Sequence, residues 1–304
     1  MATPTREAYG KALAKLGHEK EFFVLDSDLA KATATIHFKN EHPQRFFDMG
    51  IAESDMMSTA AGMATCGKKV FASTFAVFAA GRAYEQIRNS IAYPNLPVVI
   101  GATHGGVMIG EDGASHQAIE DVSLMRTMPN MTVVVPADAA STTQFVEQAM
   151  DFPTPLYIRA GRGATPDIYN ENTKLTIGKG NVLIDGTDLT IIAMGELVSE
   201  ALQAAKQLDQ RGISTAVIDM HTVKPIDRDL VCKYAKKTGK IITAEDHSII
   251  GGLGSAVAEI LAETGDATLK RLGINDVFGK SGTRSDLQEY FNLTAKGIIE
   301  LALK

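Results

Sequence analysis

Asp48-Met49-Gly50-Ile51-Ala52-Glu53 is the stretch on which the reading of this chain turns. Arg45-Phe46-Phe47-Asp48 ahead of it is apolar enough for a buried strand, and the run from Asp55 to Thr65 behind it is rich in the small residues of a helix packed closely on a sheet. Strand, glycine turn and helix make one α/β unit, and the turn delivers a carboxyl group, Glu53, to the carboxyl end of the strand. In open α/β sheets, ligands bind outside those ends. Taken alone, Glu53 reads as a helix-start residue interacting with the dipole. Its neighbourhood in the sequence gives it a second reading.

The same alternation runs along the chain and argues for largely parallel sheets flanked by helices. Glu7 to Leu16 has helical spacing, and Glu21 to Leu25 reads as a strand ending in the polar turn Asp26-Ser27-Asp28. Pro97 to Ala102 is a strand that delivers Thr103-His104, and Met131 to Val135 and Pro155 to Ile158 read as two more. Ser73 to Arg82 is expected to be a loop leading into a helix. After a glycine-rich and polar connection from Arg162 to Gly180, a second unit begins, with strands at Leu189–Met194, Ser214–Asp219 and Lys240–Glu245 and a helix from Val198 to Leu208. The expected boundary divides the chain into residues 1–175 and 176–304. Gly251-Gly252-Leu253-Gly254 opens a helix; a phosphate loop and close helix-to-sheet packing are both open, with packing the better supported.

At 304 residues the chain suits two domains, each able to bury a core, and 45% hydrophobic with 22% charged residues is a globular composition. A formal net charge of -6 disfavours general affinity for nucleic acid or anionic membrane. Two cysteines, Cys66 and Cys232, show no metal-ligand spacing, so no metal site is expected from them and a reducing cytoplasm is the simplest setting. The opening residues carry no apolar signal segment, and no apolar run reaches spanning length.

Three further segments carry chemistry. Phe75 and Phe78 lie three residues apart, so both rings can meet a flat ligand from one side. Thr103-His104-Gly105-Gly106 and Gly110-Glu111-Asp112-Gly113-Ala114-Ser115-His116-Gln117 place two histidines and an aspartate on a glycine-loosened segment, where histidine can bind hydroxyls and move protons near neutral pH. Core phenylalanines and structural histidines remain the alternatives for each residue in isolation.

Together with Glu53, these segments resemble the pyrimidine-binding half of a transketolase, in order and spacing from Glu53 to His116, and the resemblance extends over the whole chain. It implies a thiamine diphosphate enzyme that transfers a two-carbon ketol unit between sugar phosphates. Glu53 is then the carboxyl group that hydrogen-bonds the far nitrogen of the aminopyrimidine, a task that calls for a desolvated site. The resemblance implies that Phe75 stacks on that ring with Phe78 as a second aromatic, while Gly81 stands where a third is usual. His104 and His116 are implied substrate and catalytic residues, Asp112 a reader of a sugar hydroxyl, and Asp28 a cofactor contact. Arg6 and Arg162 match the positions that bind the terminal phosphate, with Arg159 a weaker candidate; arginine's fork suits phosphate oxygens. Where a serine usually accompanies them stands Ala32, with Thr33 as a substitute. Gly105-Gly106 replaces the more common aspartate and serine, which implies a different substrate preference.

The Gly-Asp-Gly diphosphate motif followed some thirty residues later by Asn is not found. The resemblance therefore implies a split enzyme. A second polypeptide, an N-terminal transketolase subunit, would hold the diphosphate with Mg2+ or Ca2+, in an assembly of two copies of each chain. Arg82, in Arg82-Ala83-Tyr84-Glu85-Gln86, instead resembles the related deoxyxylulose-phosphate synthases. That activity, the beta subunit of a 2-oxo-acid dehydrogenase and a non-catalytic regulatory subunit remain the other readings, although the Gly110-to-Gln117 string argues against the second.

Overall fold

The computed structural model describes residues 2–170 and 172–304, and its twelve strands form two sheets. In chain order they are β1 (Phe23–Asp26), β2 (Phe46–Asp48), β3 (Val70–Phe75), β4 (Val98–Thr103), β5 (Thr132–Val134), β6 (Leu156–Arg159), β7 (Asn181–Ile184), β8 (Leu189–Ala193), β9 (Thr215–Asp219), β10 (Thr222–Lys224), β11 (Lys240–Ser248) and β12 (Thr268–Ile274). The first sheet runs β10-β5-β6-β4-β3-β1-β2 and is parallel except for β10; the second runs β12-β11-β8-β9-β7 and is parallel except for β7. The α/β reading of the sequence holds in both.

Every residue of β3, β4, β8 and β9 is buried. These strands are covered on both faces, so their sequences run apolar rather than alternating. The helix Glu53–Thr65 fits against the first sheet because Ala60, Ala61 and Ala64 bring it close, and the helix Thr5–Gly17 packs from the Phe22, Phe38 and Phe71 side. The expected strands appear within a residue or two of their expected limits, except that Lys240–Glu245 runs on to Ser248. Ser73–Arg82 differs. Val70 to Ser73 pairs in parallel register with β1 and Val70 to Phe75 with β4, so the strand continues through Phe75, and Phe78–Arg82 is a π-helical turn instead of loop.

One feature was not expected. Thr222–Lys224, from the second half of the sequence, adds to the edge of the first sheet, with Thr222 opposite Val134 and Lys224 opposite Val133. The glycines at 251–254 are a packing device. The buried Glu245 carboxylate accepts hydrogen bonds from Leu253 N at 2.7 Å and Gly254 N at 2.8 Å, and it occupies the helix start that a phosphate would need. Among the described residues, no helix is long and apolar enough to cross a membrane.

Candidate functional site

The parallel strands of the first sheet all end at one rim, and the expected site residues follow those ends. β1 leads to Asp28, β2 to Glu53, β3 ends in Phe75, β4 leads to His104 and β6 to Arg162.

Glu53 opens its helix and is only 1% exposed. The rings of Phe75 and Phe78 are 5.8 Å apart and within 8° of parallel. His104 continues this wall, stacked on Phe75 at 3.9 Å, and His116 stands edge-on to Phe78 at 5.5 Å and to Phe75 at 6.3 Å. Two imidazoles thus border the phenylalanines. At Gly81 the surroundings are open, with no atom within 4 Å of the place a β-carbon would take. A buried carboxyl group beside a stacked aromatic pair is the donor set a flat, nitrogen-bearing ring requires, so these residues fit an aminopyrimidine.

His104 sits in the left-handed region at φ 60°, and its Nδ1 is 2.9 Å from Thr103 Oγ1. Burial, followed by the charges of Arg6, Arg162 and His116, pushes its pKa down to about 3. The ring is neutral at physiological pH and available as an acceptor. His116 Nδ1 lies 2.9 Å from Ser115 Oγ.

Arg6 and Arg162 come together as expected. Arg6 Nε donates to Arg162 O at 3.2 Å and its Nη1 to Ala32 O at 2.6 Å. Arg162 also bonds Ile109 O, and it faces Glu111 at 3.3 Å and Asp112 at 3.7 Å. The guanidinium is therefore shared between the loop's two carboxylates. Asp28 lies beyond β1 at φ 60°, donates its N–H to Asp48 Oδ1 at 3.1 Å, and lines a hollow of about 390 Å³ with Lys31, Ala32 and Lys39.

Two expectations need correction. Thr33 does not replace the missing serine. It is fully buried, and its hydroxyl donates to Asp26 Oδ2 at 2.7 Å; that carboxylate also takes Thr35 Oγ1 at 2.9 Å and Leu29 N at 2.7 Å. Burial pushes the Asp26 pKa up to about 6 despite these donors. Arg159 does not reach the pocket either. Its Nε donates to Asp121 at 2.9 Å, and its Nη2 to Ala118 O at 3.0 Å and Asp246 O at 2.9 Å, all in the interior. A guanidinium with both ends engaged on buried acceptors is a structural cross-link.

Asp246 is a residue the sequence reading missed. Its carboxylate, on β11 of the second sheet, accepts Val107 N at 2.9 Å and Met108 N at 3.3 Å, pinning the segment between the two histidines. A β-carbon on Gly106, at φ 84°, would lie 1.9 Å from Asp246 Oδ2, so the approach requires glycine. Gln117 Nε2 donates to Lys280 O at 2.8 Å and Ser281 Oγ to Glu111 O at 3.1 Å, so the second half of the chain holds the segment at three places. The signal was present in Glu245-Asp246-His247, three ionisable residues in succession at the end of an apolar strand. Elsewhere, His18, Glu41 and His42 cluster within 4.8 Å, but both His42 nitrogens are engaged, with Ala14 O and with Arg45.

Comparison with known proteins identifies the family. Residues 2–167 match the family model of the transketolase pyrimidine binding domain, and residues 178–298 that of the transketolase C-terminal domain. A putative transketolase C-terminal section from Methanocaldococcus jannaschii is 49% identical over 297 residues, 96% of this chain and 93% of that protein. A subunit of an apulose-4-phosphate transketolase from Phocaeicola vulgatus is 39% identical over 301 residues, 98% of this chain and 96% of that protein. Among solved structures, a split gene transketolase described as an inactive beta4 tetramer superposes with a TM-score of 0.91 at 52% identity, covering 98% of this chain and 96% of that one. With both domain models matched in order and relatives aligned nearly end to end, the chain belongs to the transketolase family.

Proposed function

We propose that this chain is one of the two polypeptides of a thiamine diphosphate-dependent transketolase. Its partner would be an N-terminal transketolase subunit that holds the diphosphate and its Mg2+ or Ca2+, with two copies of each chain in the assembly. The observation that carries the reading is the buried Glu53 carboxylate beside the stacked rings of Phe75 and Phe78, bordered by His104 and His116. The relatives described as a C-terminal section, a transketolase subunit and a split gene product support the division into two chains.

Bound thiamine diphosphate would supply a nucleophilic carbon that carries a two-carbon ketol unit from a ketose phosphate to an aldose phosphate. The chain's own residues set the conditions for that transfer. Glu53 holds the proton at the far ring nitrogen of the aminopyrimidine, while Phe75 and Phe78 fix the ring's plane and exclude water. His104, neutral through burial, accepts hydrogen bonds from sugar hydroxyls, and His116 accepts hydrogen bonds or protons from them. Asp112 reads a further hydroxyl, Arg6 and Arg162 take the terminal phosphate, and Asp28 contributes from the hollow beyond β1.

Affinity co-purification from the native lysate, with thiamine diphosphate and magnesium present, tests the assembly. Stoichiometric recovery of a chain bearing the diphosphate motif is expected; recovery of this chain alone would favour a non-catalytic role. In the recovered complex, Glu53→Ala is expected to abolish ketol transfer while leaving the fold intact. Near-normal transfer by the folded variant would sink the assignment.

A further inference from the structure

Arg82 is the charged group that the structure sets on Glu53. Its Nη1 donates to Glu53 Oε2 at 3.2 Å, and among the described residues Oε1 accepts no hydrogen bond. The two oxygens of this carboxylate are thus inequivalent.

Arg82 is itself held in two ways. Its guanidinium lies over the Phe78 ring, 5.2 Å from the centroid, and its carbonyl accepts Ser54 Oγ at 3.2 Å, one residue along from Glu53. Both contacts depend on the π-helical turn Phe78–Arg82, which has a wider pitch of hydrogen bonding than an α-helix; such turns recur at functional sites. Phe78 and Arg82 are the first and last residues of that turn, so one backbone irregularity places the ring of the pocket wall and the cation that grips the carboxylate.

We propose that Arg82 is a positioning residue for Glu53: by occupying Oε2 it fixes the carboxylate's rotation and leaves Oε1 to meet the aminopyrimidine. The inference deepens the thiamine reading and rests on it. The Arg82 side chain is 53% exposed while Glu53 is buried, so the contact adds little net energy and its contribution is geometric. A planar fork stacked on a ring holds direction in a way that an ammonium cannot.

The test uses the assembled two-chain protein with Arg82→Met, which keeps length and contact with Phe78 but removes the fork, and with Arg82→Lys, which keeps the charge. Three quantities are measured: the affinity for thiamine diphosphate by calorimetry, the rate at which the bound cofactor exchanges its acidic ring C–H for deuterium, and the melting temperature. Arg82→Met is expected to slow exchange on the order of 10- to 100-fold, the scale of a misplaced catalytic group, with a smaller loss of affinity. Arg82→Lys should recover part of the exchange rate, and both melting temperatures should stay near that of the parent. Exchange at the parent rate in cofactor-loaded Arg82→Met would overturn the proposal, as would a fall in melting temperature with exchange unchanged, the mark of a structural role. If Arg82→Met fails to fold, Arg82→Lys decides, and full exchange in that variant also overturns it. A parent complex that takes up no thiamine diphosphate would remove the reading of the whole site.

Discussion

The imidazole of His104 lies face to face with the ring of Phe75, centroids 3.9 Å apart and planes 24° from parallel. His104 reaches that position from a left-handed backbone at φ 60°, a costly conformation for a side chain other than glycine. The cost is consistent with a residue placed for its chemistry, and it joins the end of β4 to the end of β3 across the pocket.

The protonation of His104 follows from that burial. Its folded pKa is lowered to about 3 from an ordinary 6.5, so above pH 6.5 the ring is neutral in both folded and unfolded chains and costs nothing. As pH falls from 6.5 toward 3, the unfolded chain takes up a proton that the folded site refuses, and stability is lost. His221 and His247, each lowered by burial to about 4, act in the same direction. Imidazole NMR should show no His104 titration between about pH 8 and about pH 5. A midpoint near the ordinary value would contradict the site as described.

Arg162 should discriminate by substrate. Arg162→Ala is expected to raise KM for phosphorylated sugars by roughly 10- to 100-fold, the scale of a lost charge-assisted hydrogen bond, while unphosphorylated ketoses react as before. An equal loss with both would argue against the phosphate role. Glu111→Gln, which relieves a partly exposed pair, should lower the same KM by no more than about fivefold.

The grip of Asp246 on the histidine segment can be measured as stability. Asp246→Ala leaves two buried N–H groups, those of Val107 and Met108, without acceptors, at about 1–3 kcal/mol each. A lowered denaturation midpoint, with hydrogen exchange accelerated in residues 105–117, is expected. Gly106→Ala should reproduce the effect by steric means, because its new methyl meets the same carboxylate. Unchanged protection of the segment in both variants would show that it is held elsewhere.

Much of this arrangement was legible in the chain. The strand-turn-helix unit that presents Glu53 at its helix start, the aromatic pair and the two histidines announce themselves through local patterns, and local patterns decide which strand end a residue occupies. Arg159 and Thr33 were misplaced because position beside a motif says nothing about which way a side chain turns; here Asp121 and Asp26 draw them inward. Asp246 and Arg82 act across 138 or more and 29 residues of sequence respectively, contacts that no local pattern encodes. The π-helical turn was hidden for a related reason, since the apolar run Phe75 to Ala80 fits several helical periods equally well.

Thr222–Lys224 closes the edge of the first sheet from the far half of the chain, and Val135 N–H donates to His221 O at 2.7 Å beside it. The two halves are therefore not interchangeable cassettes. A gene fusion or domain swap cut near residue 175 would strip a strand from the half that carries the site, bare β5 as an unpaired edge, and invite self-association of the product. Between the two halves of this chain the first sheet is stitched shut.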